Sequence, residues 1–127
     1  MLTLFLVAAG GAVGAVLRYL AGVQAMRAFG MDWPYGTFAV NVVGGLLMGV
    51  LVSALALRGG ADQERWRVLL GVGVLGGFTT FSAFSLETAL MIERREWLQA
   101  LAYVLASVVV AIAALFLGMM LARRVLA

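Results

Sequence analysis

Residues 76–84 read GGFTTFSAF in the middle of an otherwise apolar stretch, and they break the pattern around them. Two adjacent glycines, two β-branched threonines, a serine and three phenylalanines make a poor continuous helix, because glycine costs backbone entropy and branched or aromatic residues lose rotamer freedom. In a bilayer, a helix break survives only where the freed N–H and C=O groups are buried in protein or face a water-filled cavity. This nonapeptide is therefore expected to line something.

The solvent is set by composition. Of the 127 residues 65% are hydrophobic, mean hydropathy is +1.09 and only 12% are charged, against roughly 25% in soluble domains. The chain reads as an integral membrane protein. Its nine cationic residues are all arginine, set singly or in pairs near the ends of apolar runs. No clustered basic face of the kind that binds nucleic acid is present, so the charge balance reads as membrane anchoring with no nucleic-acid partner. Cysteine and histidine are absent, which removes disulfides, thiol nucleophiles, imidazole bases and the commonest soft-metal ligands.

A helix needs about 20 residues to cross the hydrocarbon core. Four runs qualify: Leu2 to Met26 interrupted by Arg18, Gly36 to Leu57 without charge, Val68 to Ile92 meeting only Glu87, and Trp97 to Ala122 without charge. The expected fold is an all-α membrane protein of one domain, residues 1–127, with four transmembrane helices and a broken third. Connections are expected at Asp32–Tyr35, Arg58–Arg67 and Glu93–Glu96, with Pro34 in the first, where a missing N–H does no harm. Leu2 to Leu17 lacks the basic start of a signal peptide and reads as a retained span.

With the N-terminus inside, Arg58, Arg65, Arg67, Arg123 and Arg124 lie on the cytoplasmic side and Arg27, Arg94 and Arg95 outside. Five against three is a weak bias under the positive-inside rule. The count admits two readings, insertion of copies in both orientations or a fixed N-in chain with loosely specified loops. Gly10 and Gly14 in the first helix, and Gly45 and Gly49 in the second, have the spacing that lets helix backbones approach closely. They fit self-association or packing within one subunit.

Polar residues at membrane depth mark function by default. Arg18 shares a helical face with Gly10 and Gly14; it fits snorkelling, a charge near an anion entrance, or a partner for helix ends. Thr37, Asn41, Gly45 and Gly49 recur every four residues, and the Asn41 amide must pair or pay heavily. Its bland role is helix-to-helix glue. Tyr103 and Ser107 share a face on the fourth helix, with Tyr103 also placed to act as an interfacial anchor. Phe81 and Phe84 stand three apart beside the break, near Ser82, Ser85 and Glu87. Such rings usually pack the core or meet lipid, yet a phenyl edge is positive, and edges beside amide and hydroxyl donors suit a small anion.

These residues also carry a resemblance. GAVGAVLRY at 11–19, GTFAVNVVGG at 36–45 and GGFTTFSAF at 76–84, in order across four spans, are similar to the Fluc (CrcB-type) fluoride channels of microbes. The resemblance covers essentially the whole chain. It implies a passive fluoride channel in the cell membrane, built as a dual-topology antiparallel homodimer with two pores at the subunit interface. Phe81 and Phe84 match the phenylalanines whose edges face fluoride, and Asn41 matches the pore asparagine. Thr80, Ser82, Glu87, Tyr103 and Ser107 fall on the polar track and aqueous lining, and Arg18 matches the vestibule arginine. Gly76 and Thr79 match the positions whose carbonyls hold a structural Na+ at the dimer centre. Ala83 departs from the pattern, standing where many relatives carry a hydroxyl.

A small multidrug-type proton-coupled exporter has similar size but relies on an acid in its first helix, where this chain has Arg18. An assembly subunit with a structural polar core is a further alternative. No enzyme is expected, since Glu87 is the only carboxylate deep within a span.

Overall fold

The apolar runs fold as helices because a backbone in hydrocarbon must satisfy its hydrogen bonds within the segment. The computed structural model describes the whole chain, Met1–Ala127, and contains helices and no strands. Helix α1 is Leu2–Phe29 and α2 is Tyr35–Arg58. The third span, Gly60–Glu93, is composite. It begins with a 3-10 turn at Gly60–Asp62, continues through α3 (Gln63–Trp66), a π-helical segment at Arg67–Leu75 and α4 (Gly76–Phe78), and resumes after a break as α5 (Phe81–Glu93). Helix α6 is Trp97–Leu126. All four spans are long and apolar enough to cross a membrane.

Each span matches its expected position and runs a little beyond it. The largest difference lies between Arg58 and Arg67, expected as a connection and found mostly helical. There Gly60, at φ 63°, supplies the one left-handed residue that the turn needs, and the chain re-enters helix at once. The α5–α6 turn makes the same reversal at Arg95, φ 59°, a conformation that costs a non-glycine residue about 1–2 kcal/mol. Its N–H donates to the Ile92 carbonyl at 3.0 Å and that of Glu96 to the Met91 carbonyl at 2.9 Å, closing the helix end.

Glycines set the helix pairs. A Cβ on Gly10 would lie 2.5 Å from the Leu69 carbonyl oxygen, one on Gly14 would collide with the Val74 oxygen, and one on Gly77 would lie 2.6 Å from the Gly11 oxygen. Helix α1 therefore lies backbone to backbone, in parallel, along the third span. Gly45, Gly49 and Gly118 do the same for α2 and α6, against Ala111, Leu115 and Leu46. Of the two readings that the spacing allowed, packing within one subunit is the one realised. These glycine faces are taken up within the subunit.

The contrast between neighbours yields a test. Gly14→Ala should lower stability by about 1–3 kcal/mol through overpacking, whereas Gly11→Ala, which meets nothing within 4 Å, should leave the thermal unfolding midpoint in detergent unchanged or raised.

Candidate functional site

The break in the third span is two residues wide. Thr79 (φ −87°, ψ 160°) and Thr80 (φ −151°, ψ 121°) are extended, and helix resumes at Phe81. Several of the freed groups find specific partners. The Thr80 N–H donates to Asn41 Oδ1 at 2.8 Å, and Asn41 Nδ2 donates to the Thr80 carbonyl at 3.0 Å. The asparagine thus pairs with both backbone groups of one residue, as a neighbouring strand would. Thr80 Oγ1 caps α5 by accepting from the Ala83 N–H at 3.1 Å, the ordinary role of threonine at a helix start. Arg18 Nε donates to the Gly77 carbonyl at 3.0 Å, and the Thr79 hydroxyl bonds back to Leu75 at 3.0 Å.

This accounting settles two residues whose sequence reading was open. Arg18 is a partner for a helix end and does not simply snorkel. It reaches the break because Gly10, Gly14 and Arg18 share the face of α1 that meets the third span. Asn41 does join two helices, as a glue asparagine would, but it joins α2 to a broken backbone. Thr80 fixes the amide's orientation, since a flipped amide would face the carbonyl with oxygen. One amide hydrogen remains without an acceptor in the chain.

That spare donor faces a cleft of about 310 Å³ lined by Asn41, Thr79, Thr80, Phe81, Phe84 and Ser107 with the apolar residues Val108, Ala111 and Ile112. No charged side chain lines it. Phe84 is 8% exposed and Phe81 78%, so one ring is built into the subunit and the other stands at its surface, with centroids 5.5 Å apart and planes at 47°. Ser107 is buried, and its hydroxyl has no partner in the chain. The residue lines the cleft, while the hydroxyl oxygen itself is sealed from solvent.

The remaining expected site residues lie elsewhere. Tyr103 and Glu87 form a cluster of their own: the Tyr103 hydroxyl donates to Glu87 Oε1 at 3.1 Å and the Thr37 hydroxyl to Oε2 at 3.0 Å. Tyr103 is fully buried, which ends its reading as an interfacial anchor. Its ring packs on Phe84 at 5.1 Å, so the cluster abuts the cleft. Ser82 stays at the surface, its hydroxyl 3.3 Å from that of Thr80. Arg18 lines a second cavity of about 250 Å³ together with Thr37, Thr80 and Ala83. Thr80 is common to both cavities, so a single residue separates the cationic side from the aromatic side. Gly76 lies in neither.

Sequence reasoning did not single out Trp33, which packs on the same aromatic cluster. Its place beside Pro34 in a short turn was the only hint. It likewise passed over Ser53, whose buried hydroxyl has no partner and lines neither cavity.

Replacing Asn41 by leucine strands the Thr80 N–H and C=O at membrane depth, each worth about 1–3 kcal/mol when buried and unpaired. The expected outcome is faster hydrogen exchange at the Thr80 amide and a lower unfolding midpoint. Unchanged exchange would show that the break has another support.

Residues 5–119 match the family described as CrcB-like protein, Camphor Resistance (CrcB). The chain is 69% identical over 125 residues, 98% of each chain, to the "Fluoride-specific ion channel FluC" of Caulobacter sp. (strain K31). It is 68% identical over the full length of both chains to the protein of that name from Phenylobacterium zucineum (strain HLK1), and 49% identical over 123 residues to the one from Mesorhizobium japonicum. A match of this extent, running through all four spans and across the break, leaves the membership plain: the chain belongs to the CrcB-like family.

Proposed function

We propose that this multi-pass membrane protein is a fluoride-selective channel that lets the ion leave the cell passively. The observation that carries the reading is the neutral donor cleft at the break, in a chain whose full-length relatives bear the name of fluoride-specific channels. Fluoride is small and tightly hydrated, so a pore must replace its water donors closely as it strips them. Asn41 keeps one amide hydrogen free, Ser107 an unpaired hydroxyl, and Phe84 and Phe81 offer ring edges. These donors are compact and uncharged, strong enough to admit an anion and weak enough to release it. Chloride is too large for a contact shell of that size. Arg18, with its Nε held by the Gly77 carbonyl, places a fixed positive charge one residue away without entering the cleft.

The exporter alternative loses its support, because α1 carries no acid and the relatives are named as channels.

The working unit in this reading is an antiparallel homodimer in the cell membrane with a pore on each side. Phe81 supports it. A pore ring that is 78% exposed on one subunit needs a second surface to close the cleft, and the near-even arginine count permits a copy inserted the other way up. Membrane lipid covers what remains.

A structural Na+ fits the same frame. In a continuous helix the Gly76 carbonyl would accept from the Thr80 N–H, but that donor is on Asn41, so a main-chain oxygen at the break lacks its usual partner. Hard cations take such neutral oxygens, and Gly76 and Thr79 from two copies would supply them. Bound there, the ion would offset the dipoles of carbonyls that helix does not use.

In vesicles loaded with fluoride, chloride or an organic cation, only fluoride should escape, and Phe81→Ile or Asn41→Asp should abolish its efflux with the dimer intact. Unimpaired flux in both variants would exclude the cleft as the pore. A C-terminal tag should be accessible on both membrane faces, and the dimer should melt higher in Na+ than in a large organic cation; a tag on one face only, or equal melting, would remove the corresponding element.

A further inference from the structure

The connection between α1 and α2 does more than join two spans. Pro34, at φ −77° and ψ 64°, is the centre of an inverse γ-turn, closed by the Tyr35 N–H donating to the Trp33 carbonyl at 2.8 Å. The proline ring fixes that φ. The turn sends Trp33 inward, where an interfacial tryptophan would ordinarily lie among headgroups. Its ring meets Tyr103 edge-on, with centroids 5.2 Å apart and planes at 82°, and Phe38 at 5.2 Å and 60°. Tyr103 then meets Phe84 at 5.1 Å, and Phe84 meets Phe81 at 5.5 Å. An unbroken file of rings therefore runs from an extramembrane turn to the cleft.

Tyr103 is the joint in that file. Its hydroxyl is tied to Glu87 at 3.1 Å, its ring lies against Phe84 on one side, and Trp33 bears on it edge-on. Hydrogen bonding fixes one end of the side chain but leaves the ring plane free to turn about its long axis. Edge-to-face contact with Trp33 removes that freedom, because such pairs have a preferred geometry. Phe84 packs on the Tyr103 ring at 49° and lines the cleft.

We propose that Trp33 is a positioning residue for permeation: from outside the membrane it holds the plane of Tyr103, and through Tyr103 the edge that Phe84 presents to the ion. This rests on the reading of the cleft as a fluoride pathway. Trp33 touches no ion. Its removal should therefore change how fast and how selectively each channel conducts, whereas loss of a merely structural ring would change only how many channels form.

Purified protein reconstituted at less than one channel per vesicle separates the two, since the fraction of active vesicles counts channels and the rate within active vesicles reports each one. Trp33→Leu should lower the fluoride rate per active vesicle by about threefold or more, in the range carried through chains of packed side chains, and should lower the fluoride-to-chloride ratio. Trp33→Phe, which keeps an aromatic edge, should restore most of both. In a Tyr103→Leu background Trp33→Leu should add nothing further, because the joint is already gone. A fall in the active fraction alone, with rate and ratio unchanged, would overturn the proposal, as would full additivity of the two changes. If Trp33→Leu gives no assembled protein, Trp33→Met, which retains apolar bulk without the edge, carries the same measurement. Wild-type vesicles that pass no fluoride would overturn the channel reading itself; a conducting wild type with an unaltered Trp33→Leu rate overturns only the role of Trp33.

Discussion

The pairing of one side-chain amide with both backbone groups of one residue is the interaction on which the rest depends. Hydrocarbon offers no water to a backbone that leaves its helix, so a two-residue break at membrane depth would be prohibitive without substitutes. Asn41 supplies both a donor and an acceptor to Thr80, Arg18 takes the Gly77 carbonyl, and the Thr80 hydroxyl caps the helix that follows. Three elements thus converge on a few atoms. Because the amide carries two donor hydrogens and Thr80 takes only one of them, the residue that repairs the backbone is also left with one donor for something else. Structural support and ligand recognition are two uses of a single side chain.

Such convergence requires that α1, α2 and the third span approach closely, and glycine makes it so. With the Gly10 and Gly14 face against the π-helical segment, Arg18 is brought within reach of a main-chain oxygen on a different span. Had α1 stood farther off by the width of a side chain, a charged residue in that place would have had only the interface to turn to. Packing and polarity are coupled in this way, and the cost of a half-buried cation is offset by geometry set a turn or two away.

Much of this was legible in the residues. The four spans follow from length and apolarity, and the break follows from the incompatibility of GGFTTFSAF with a continuous helix. That Asn41 required protein partners also followed from the cost of leaving its amide unpaired, whereas for Arg18 snorkelling stood open beside a protein partner. The identity of those partners did not. Hydropathy and spacing are properties of one segment, whereas the Asn41 to Thr80 contact depends on how two segments register. The glycine pairs show the same limit, since one spacing serves packing within a subunit and between subunits equally. Phe81 and Phe84 looked alike in sequence and share a helix face, yet they differ in burial, because Phe81 opens α5 at the break while Phe84, one turn on, packs against Tyr103. Trp33 was missed for a related reason: it lies in the short connection at Asp32–Tyr35, and only the turn at Pro34 directs it into the bundle.

The π-helical segment at Arg67–Leu75 has a consequence of its own. A helix bonded from each residue to the fifth before it winds less per residue than an α-helix, so nine residues of it rotate everything downstream about the span axis. The threonines and phenylalanines after it thereby acquire a bearing that an α-helical lead-in of equal length would not give them. In this sense the widened coil acts as a phase adjustment, and the apolar, weakly distinctive sequence RVLLGVGVL determines which way the chain's most chemically distinctive residues look.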